Sequence, residues 1–213
     1  MAMRVTCDAL AVAKPIWMVG DNVNDTFDWH EHLLPAVVVL LVTASVVMVV
    51  WQGSTSFLPT FLHRTKAYST VQAAYPFATL FGVGIVATPS AGYLGDRYGH
   101  LRTAIASTIC GAAGIILLTL ANTHLSVIGS IVLFAIGLTS FWTLLYSYLV
   151  GQFAQEQLGA SFGILRTFFF AAGSLGPVLV GVVGETFGYV PSFWLLGGLL
   201  AVSALGLSCV CIM

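Results

Sequence analysis

The sequence predicts an all-α membrane protein with six transmembrane helices, and three observations carry that fold class. Charged residues make up 7% of the 213-residue chain and hydrophobic residues 58%, against about 25% charged in a soluble domain. The mean hydropathy is +0.97, and one soluble core of this size has too little polar material to cover so much apolar surface. The apolar residues also fall into runs of membrane length, about 20 residues being enough to cross the hydrocarbon. Finally, these runs are continuously apolar rather than alternating and about twice as long as a barrel strand, which excludes a transmembrane β-barrel.

Six spans follow in order, at residues 33–62, 70–94, 102–121, 125–150, 160–184 and 191–213. The first is long enough to tilt or bend, with Gly53 and Pro59 as places to do so. The second and third are cleanly delimited, because neither 70–91 nor 103–121 contains an Asp, Glu, Lys or Arg. Short connections at 63–69, 95–101, 122–124, 151–159 and 185–190 make successive spans antiparallel neighbours. Residues 33–213 therefore read as one transmembrane domain. Gly111 with Gly114, Gly173 with Gly176, and Gly181 with Gly184 give smooth helix faces, and Gly184 with Gly188 has G-x-x-x-G spacing. Such faces let helix backbones approach closely in lipid.

Residues 1–32 differ, holding five acids (Asp8, Asp21, Asp25, Asp28, Glu31) against Arg4 and Lys14. They read as a polar cytoplasmic linker. The apolar stretch 9–20 is short, is broken by Lys14-Pro15 and is followed by no clear small-residue cleavage site, so it does not read as a signal peptide, and the first span is expected to act as the insertion signal.

Several function classes are excluded. A net charge of −1 offers no basic face for nucleic acid. Asp28-Trp29-His30-Glu31-His32 contains metal-ligand types, but adjacent residues on a linker do not converge on one ion. The four cysteines form no C-x-x-C pair. There is no nucleophile triad, phosphate-cradling loop or metal-binding helix, so no enzyme, metal or cofactor is expected. No span interior holds an Asp or Glu.

Polar side chains within the spans are the candidate site. Trp51 and Gln52 on span 1, and Trp142 and Tyr146 on span 4, stand among Ser and Thr residues. Polar groups are costly in hydrocarbon unless they face protein or water, so a cavity wall and tight helix packing both account for them. Arg166 is the one strong charge well inside a predicted span. It could attract an anion, be neutralised by a carboxylate during gating, or snorkel to the nearby surface.

Residues 92–102, Gly-Tyr-Leu-Gly-Asp-Arg-Tyr-Gly-His-Leu-Arg, form a charged corner between spans 2 and 3. Gly92, Gly95 and Gly99 can take conformations closed to other residues and let two helix ends approach. Asp96 can cap a neighbouring helix. Arg97 and Arg102 can pair with carboxylates or anionic headgroups. A conformational latch and an ordinary charged loop are both open on these residues.

This corner resembles the G-x-L-x-D-R-x-G-[RH] loop signature of the major facilitator superfamily (MFS) of transporters. The resemblance extends over about residues 35–210. Gln52-Gly53 with Phe57-Leu58-Pro59 is similar to the first helix of the second half of these transporters. Gly173-Ser174-Leu175-Gly176-Pro177 with Gly181 is similar to the glycine–proline helix used for packing and bending, and Phe187-Gly188-Tyr189 with Phe193-Trp194 to the junction before the last helix. Family members carry twelve helices in two halves. Six helices, no embedded arginine on helix four and a linker-like tail make this chain resemble the carboxy-terminal half.

The resemblance implies transport of a small solute by alternating access, in a multi-pass protein of the plasma membrane. It places spans 3 and 6 outside the cavity and makes the corner a latch. A second six-helix unit is implied, either another copy or a separately encoded half. A non-transporting membrane protein that binds a partner or senses a ligand, and an inactive truncated fragment, are the alternatives. Arg97 and Arg102 scarcely outweigh Arg64 and Lys66 in setting orientation. Lys14, Arg166 and the resemblance put both chain ends and the Asp96 corner in the cytoplasm.

Overall fold

The computed structural model describes residues 29–152 and 158–212. Residues 1–28 and the side chains of 29–37 lie outside them, so the expected linker at 1–32 falls outside the described residues except for 29–32, which are helical, and the side chains of the Asp28–His32 group fall outside them too. Among the described residues eight helices run in order: α1 Trp29–Lys66, α2 Thr70–Gly82, α3 Gly84–Tyr98, α4 His100–Leu120, α5 His124–Gln152, α6 Leu158–Gly173, α7 Leu175–Phe187 and α8 Tyr189–Ile212. They make six candidate membrane spans, because α2 with α3 and α6 with α7 each form one broken span. The chain is an all-helical, multi-pass integral membrane protein.

Both breaks have chemical causes. Span 2 breaks at Val83, flanked by Gly82 and Gly84 and followed by Pro89 in α3. Glycine pairs and prolines are the usual sites of sharp kinks. Span 5 breaks at Ser174. Pro177 cannot donate to the carbonyl of Gly173 and its ring crowds that carbonyl. Pro59, by contrast, leaves α1 continuous, and so does Gly53.

The helices outrun several sequence-based bounds. Span 1 continues from Leu62 through Lys66, and span 2 from Leu94 through Tyr98; span 3 starts at His100 and span 6 at Tyr189. Charged and aromatic ends do not stop a helix, since they reach into the headgroup layer. The stops are Gly99 and Gly188, at φ +92° and +93°, a region that only glycine enters without cost. The expected corner at 92–102 is therefore helix on both sides of a single residue.

These two joints are copies. Gly95-Asp96-Arg97-Tyr98-Gly99-His100 corresponds to Gly184-Glu185-Thr186-Phe187-Gly188-Tyr189. Gly99 N–H donates to Gly95 O at 2.8 Å, and Gly188 N–H to Gly184 O at 3.1 Å. Four residues on, the Thr103 hydroxyl donates to Gly99 O (2.9 Å) and the Ser192 hydroxyl to Gly188 O (3.1 Å). Spans 2–3 and 5–6 are thus matching units, each a broken helix turned by one glycine, and their joints lie at opposite ends of the bundle.

Packing follows the small residues. Span 3 lies against spans 4 and 6, and span 6 also against span 1. A Cβ on Gly137 would sit 2.5 Å from Gly111 Cα, and one on Gly114 would strike the Phe134 backbone. Between spans 1 and 5, a Cβ on Gly176 would meet the Val49 carbonyl and lie 2.7 Å from Gly53 N. Phe61 stacks on Phe193 with centroids 4.2 Å apart, joining spans 1 and 6 in the core.

Burial is uneven. In spans 1, 3, 4 and 6 the most apolar window is 44–56% buried, but only 17% in span 2 and 28% in span 5. Spans 2 and 5 carry the open face, with Val71, Tyr75, Ile85 and Val86 on one and Val178 and Val182 on the other all more than half exposed.

Candidate functional site

Span 5 presents a one-sided wall. Gly163, Arg166, Thr167, Phe170 and Ala171 line an open depression of 460 Å³, all five on α6. Arg166 is exposed, one turn inside the span, with its guanidinium 5.3 Å from the Phe170 ring centroid, a cation–π separation. Behind it runs an aromatic cluster. Trp142 lies 5.7 Å from Tyr146 and 5.4 Å from Phe169, and Tyr146 lies 5.2 Å from Phe162. The structure thus brings Trp142 and Tyr146 of span 4 to the Arg166 helix.

Trp51 and Gln52 belong to a neighbouring part of the same bundle. Trp51 meets Phe81 of span 2 edge-on at 6.0 Å. Gln52 Cγ would be 3.3 Å from a Cβ on Gly173, so it packs on the α6 end. Both are half-buried. Most neighbouring hydroxyls are already engaged with their own helix: Ser54 and Thr55 donate to Trp51 O at 3.1 and 2.7 Å, and Thr143 donates to Thr139 O at 2.9 Å. These account for themselves as helix packing, leaving Trp51, Gln52, Trp142, Tyr146 and Arg166 as the polar and aromatic surface.

At the corner, the three glycines do different work. Gly99 makes the turn, Gly95 admits the Leu144 side chain (2.5 Å from a built Cβ), and Gly92 has open space and an ordinary backbone. Gly92 therefore needs no special conformation, contrary to expectation. Asp96 is 78% exposed and lies 3.6 Å from His100 Nε2 across the turn. Arg97 donates to the Tyr93 hydroxyl at 3.4 Å and stands 5.4 Å from the Tyr98 ring centroid. Arg102 sits in the first turn of α4. Of the glycines and proline on span 5, Gly173 lies against Met48, Gly176 and Pro177 stand beside the break, and Gly181 faces Phe57 at 3.3 Å.

Residues 40–212 match the family description "Major Facilitator Superfamily". The chain belongs to the Major Facilitator Superfamily. Among solved structures, this MFS chain is similar to "In meso crystal structure of the POT family transporter PepTSo", with TM-score 0.69 and 14% identity over 82% of this chain. It is also similar to "Crystal structure of auto inhibited POT family peptide transporter", with TM-score 0.70 and 19% identity over 83% of this chain. The chain spans 37% of each of those proteins, so its six helices match about one half of an MFS transporter. A separate likeness covers 38 residues at 79% identity, to "Probable transposase for insertion sequence element ISH11" from two strains of Halobacterium salinarum. That stretch is 18% of this chain and 12% of the transposases.

Sequence reasoning missed a polar cluster at the other end of the bundle. Lys66 Nζ donates to Thr119 O at 2.8 Å and to Ala121 O, satisfying the last carbonyls of α4. His63 Nδ1 donates to Tyr68 O at 2.7 Å, and His124 Nδ1 pairs with the Tyr68 hydroxyl at 2.8 Å. Burial pushes the Tyr68 phenol above its ordinary range. The cluster ties the 1–2 connection to the 3–4 connection. The contacts that join the two connections span 53 to 56 positions in sequence, so local pattern gives no sign of them.

Proposed function

We propose that the chain is the carboxy-terminal half of an MFS-type transporter that moves a small solute across the plasma membrane by alternating access. It works only with a second six-helix unit. The observation that carries this reading is the open face of spans 2 and 5, with the Arg166 depression on it, in a chain that spans 37% of its full-length structural relatives. In the family fold, two six-helix halves related by an axis along the membrane normal enclose a site at their interface. Trp51, Gln52, Trp142, Tyr146 and Arg166 form this half's share of the solute cavity. The Gly92–Arg102 corner latches one of the two states, with exposed Asp96 as its acid.

Flux into vesicles, with the chain alone and with a candidate six-helix partner, tests this reading. Uptake of the transported solute is expected only in the second case. Equal uptake by the lone monomer overturns the half-transporter reading.

One observation favours a second reading, an inactive fragment. The transposase-like stretch has no place in a transporter, and a chain altered there need not retain a partner half.

The orientation is proposed with both described chain ends and the Asp96 corner in the cytoplasm. A membrane-impermeant thiol reagent added outside should miss a cysteine at Asp96 and label one at Arg64. The reverse pattern inverts the topology.

A further inference from the structure

Two lengths fit together at residue 39. The MFS match begins at residue 40. The transposase likeness needs 38 residues, and 1–39 is the one stretch outside the MFS match long enough to hold it.

Composition changes at the same place. Seven of the chain's fifteen charged residues lie in the first 31 positions. A membrane bundle excludes charge at that density.

Convergence does not produce 79% identity over 38 residues in two proteins with unrelated tasks. The shared 12% of the transposase is also too small a piece to be a module recruited for catalysis. We infer that residues 1–39 are translated from part of an insertion-sequence transposase gene, joined in frame to a transporter gene at codons 38–40. The tail is then neither a transporter linker nor part of the solute path, and Asp28–His32 is a set of residues carried over from the transposase. The inference concerns the joint alone and does not rest on transport.

Sequencing the native locus tests it, alongside the equivalent locus from a relative lacking the element. The expected result is nucleotide identity to the insertion element through codons 1–38, ending within a few codons of 40. The element-free locus should carry unrelated transporter codons ahead of the residue 40 equivalent. If the element-free locus instead encodes the same 39 residues ahead of the bundle, the inference is overturned. That outcome leaves the flux experiment untouched, and absence of flux leaves this inference untouched.

Discussion

Gly137→Val is expected to abolish the folded bundle, giving a chain that aggregates on extraction and shows no cooperative unfolding transition. Spans 3 and 4 are in close backbone contact here. A Cβ on Gly137 would overlap the Gly111 backbone nitrogen, lie 2.5 Å from Gly111 Cα and 2.6 Å from Ser107 O. All three are backbone atoms of one helix, so no side-chain rotation relieves the clash and the helices must separate. Overpacking in a tight core costs about 1–3 kcal/mol, more where backbone must move, and the small-residue contact itself is lost. Gly129→Val on the same helix is the control, since a Cβ there meets nothing within 4 Å. It should unfold at the parent temperature, as judged by thiol-reactive dye or circular dichroism melting in detergent.

The second large effect lies at the kink of span 5. Gly176→Leu places a branched side chain where even a Cβ would run into the Val49 carbonyl and the Gly53 nitrogen. Span 5 must swing off span 1, carrying Arg166 and the aromatic wall with it. The expected outcome is a lowered melting temperature together with increased reactivity of a cysteine at Met48, which now sits under Gly173. Gly181 sits above the flexible ring edge of Phe57 at 3.3 Å. Gly181→Ala is therefore expected to cost little, because the ring can shift by tenths of an ångström. Equal damage from Gly176→Leu and Gly181→Ala would mean that the Gly53–Gly176 contact does not hold these spans together.

Much of the architecture was readable from hydropathy alone. Six apolar runs and short connections specify a six-helix bundle because lipid demands internally satisfied backbone, and the structure has six such spans. The family signature was readable as well, since its residues are contiguous. Hydropathy could not show where the helices end, because Arg64, Lys66 and Tyr98 can continue a helix into the headgroup layer. Nor did pattern distinguish the glycines. Gly92 and Gly99 look alike in sequence, yet only Gly99 adopts a left-handed φ. Gly137 was passed over because its partner Gly111 is 26 residues away. The Lys66–Tyr68–His124 cluster was invisible for the same reason, being made by packing of two connections. The repeated joint at Gly95–His100 and Gly184–Tyr189 was readable, but only by aligning the chain with itself.

The aromatic wall shows the limit most clearly. Trp142 and Tyr146 stood out as polar-tipped aromatics, whereas Phe162, Phe169 and Phe170 have no polar tip to mark them in the sequence. In the fold Phe169 is buried beneath Trp142 while Phe168 and Phe170 on either side are exposed. The unbroken run Phe168-Phe169-Phe170-Ala171-Ala172 offers no contrast from which to read its inward side.

The central claim is that spans 2 and 5 face protein rather than lipid when the transporter is at work. Nitroxide labels at Ile85→Cys and Val182→Cys, compared with Leu205→Cys on span 6, test it directly. All three positions are more than half exposed in the lone chain. In membranes that show solute uptake, lipid-dissolved oxygen should relax the Leu205 label strongly and the Ile85 and Val182 labels several-fold less. Equal relaxation at all three sites during uptake would contradict the claim, because the open face would then be lipid-facing in an active protein.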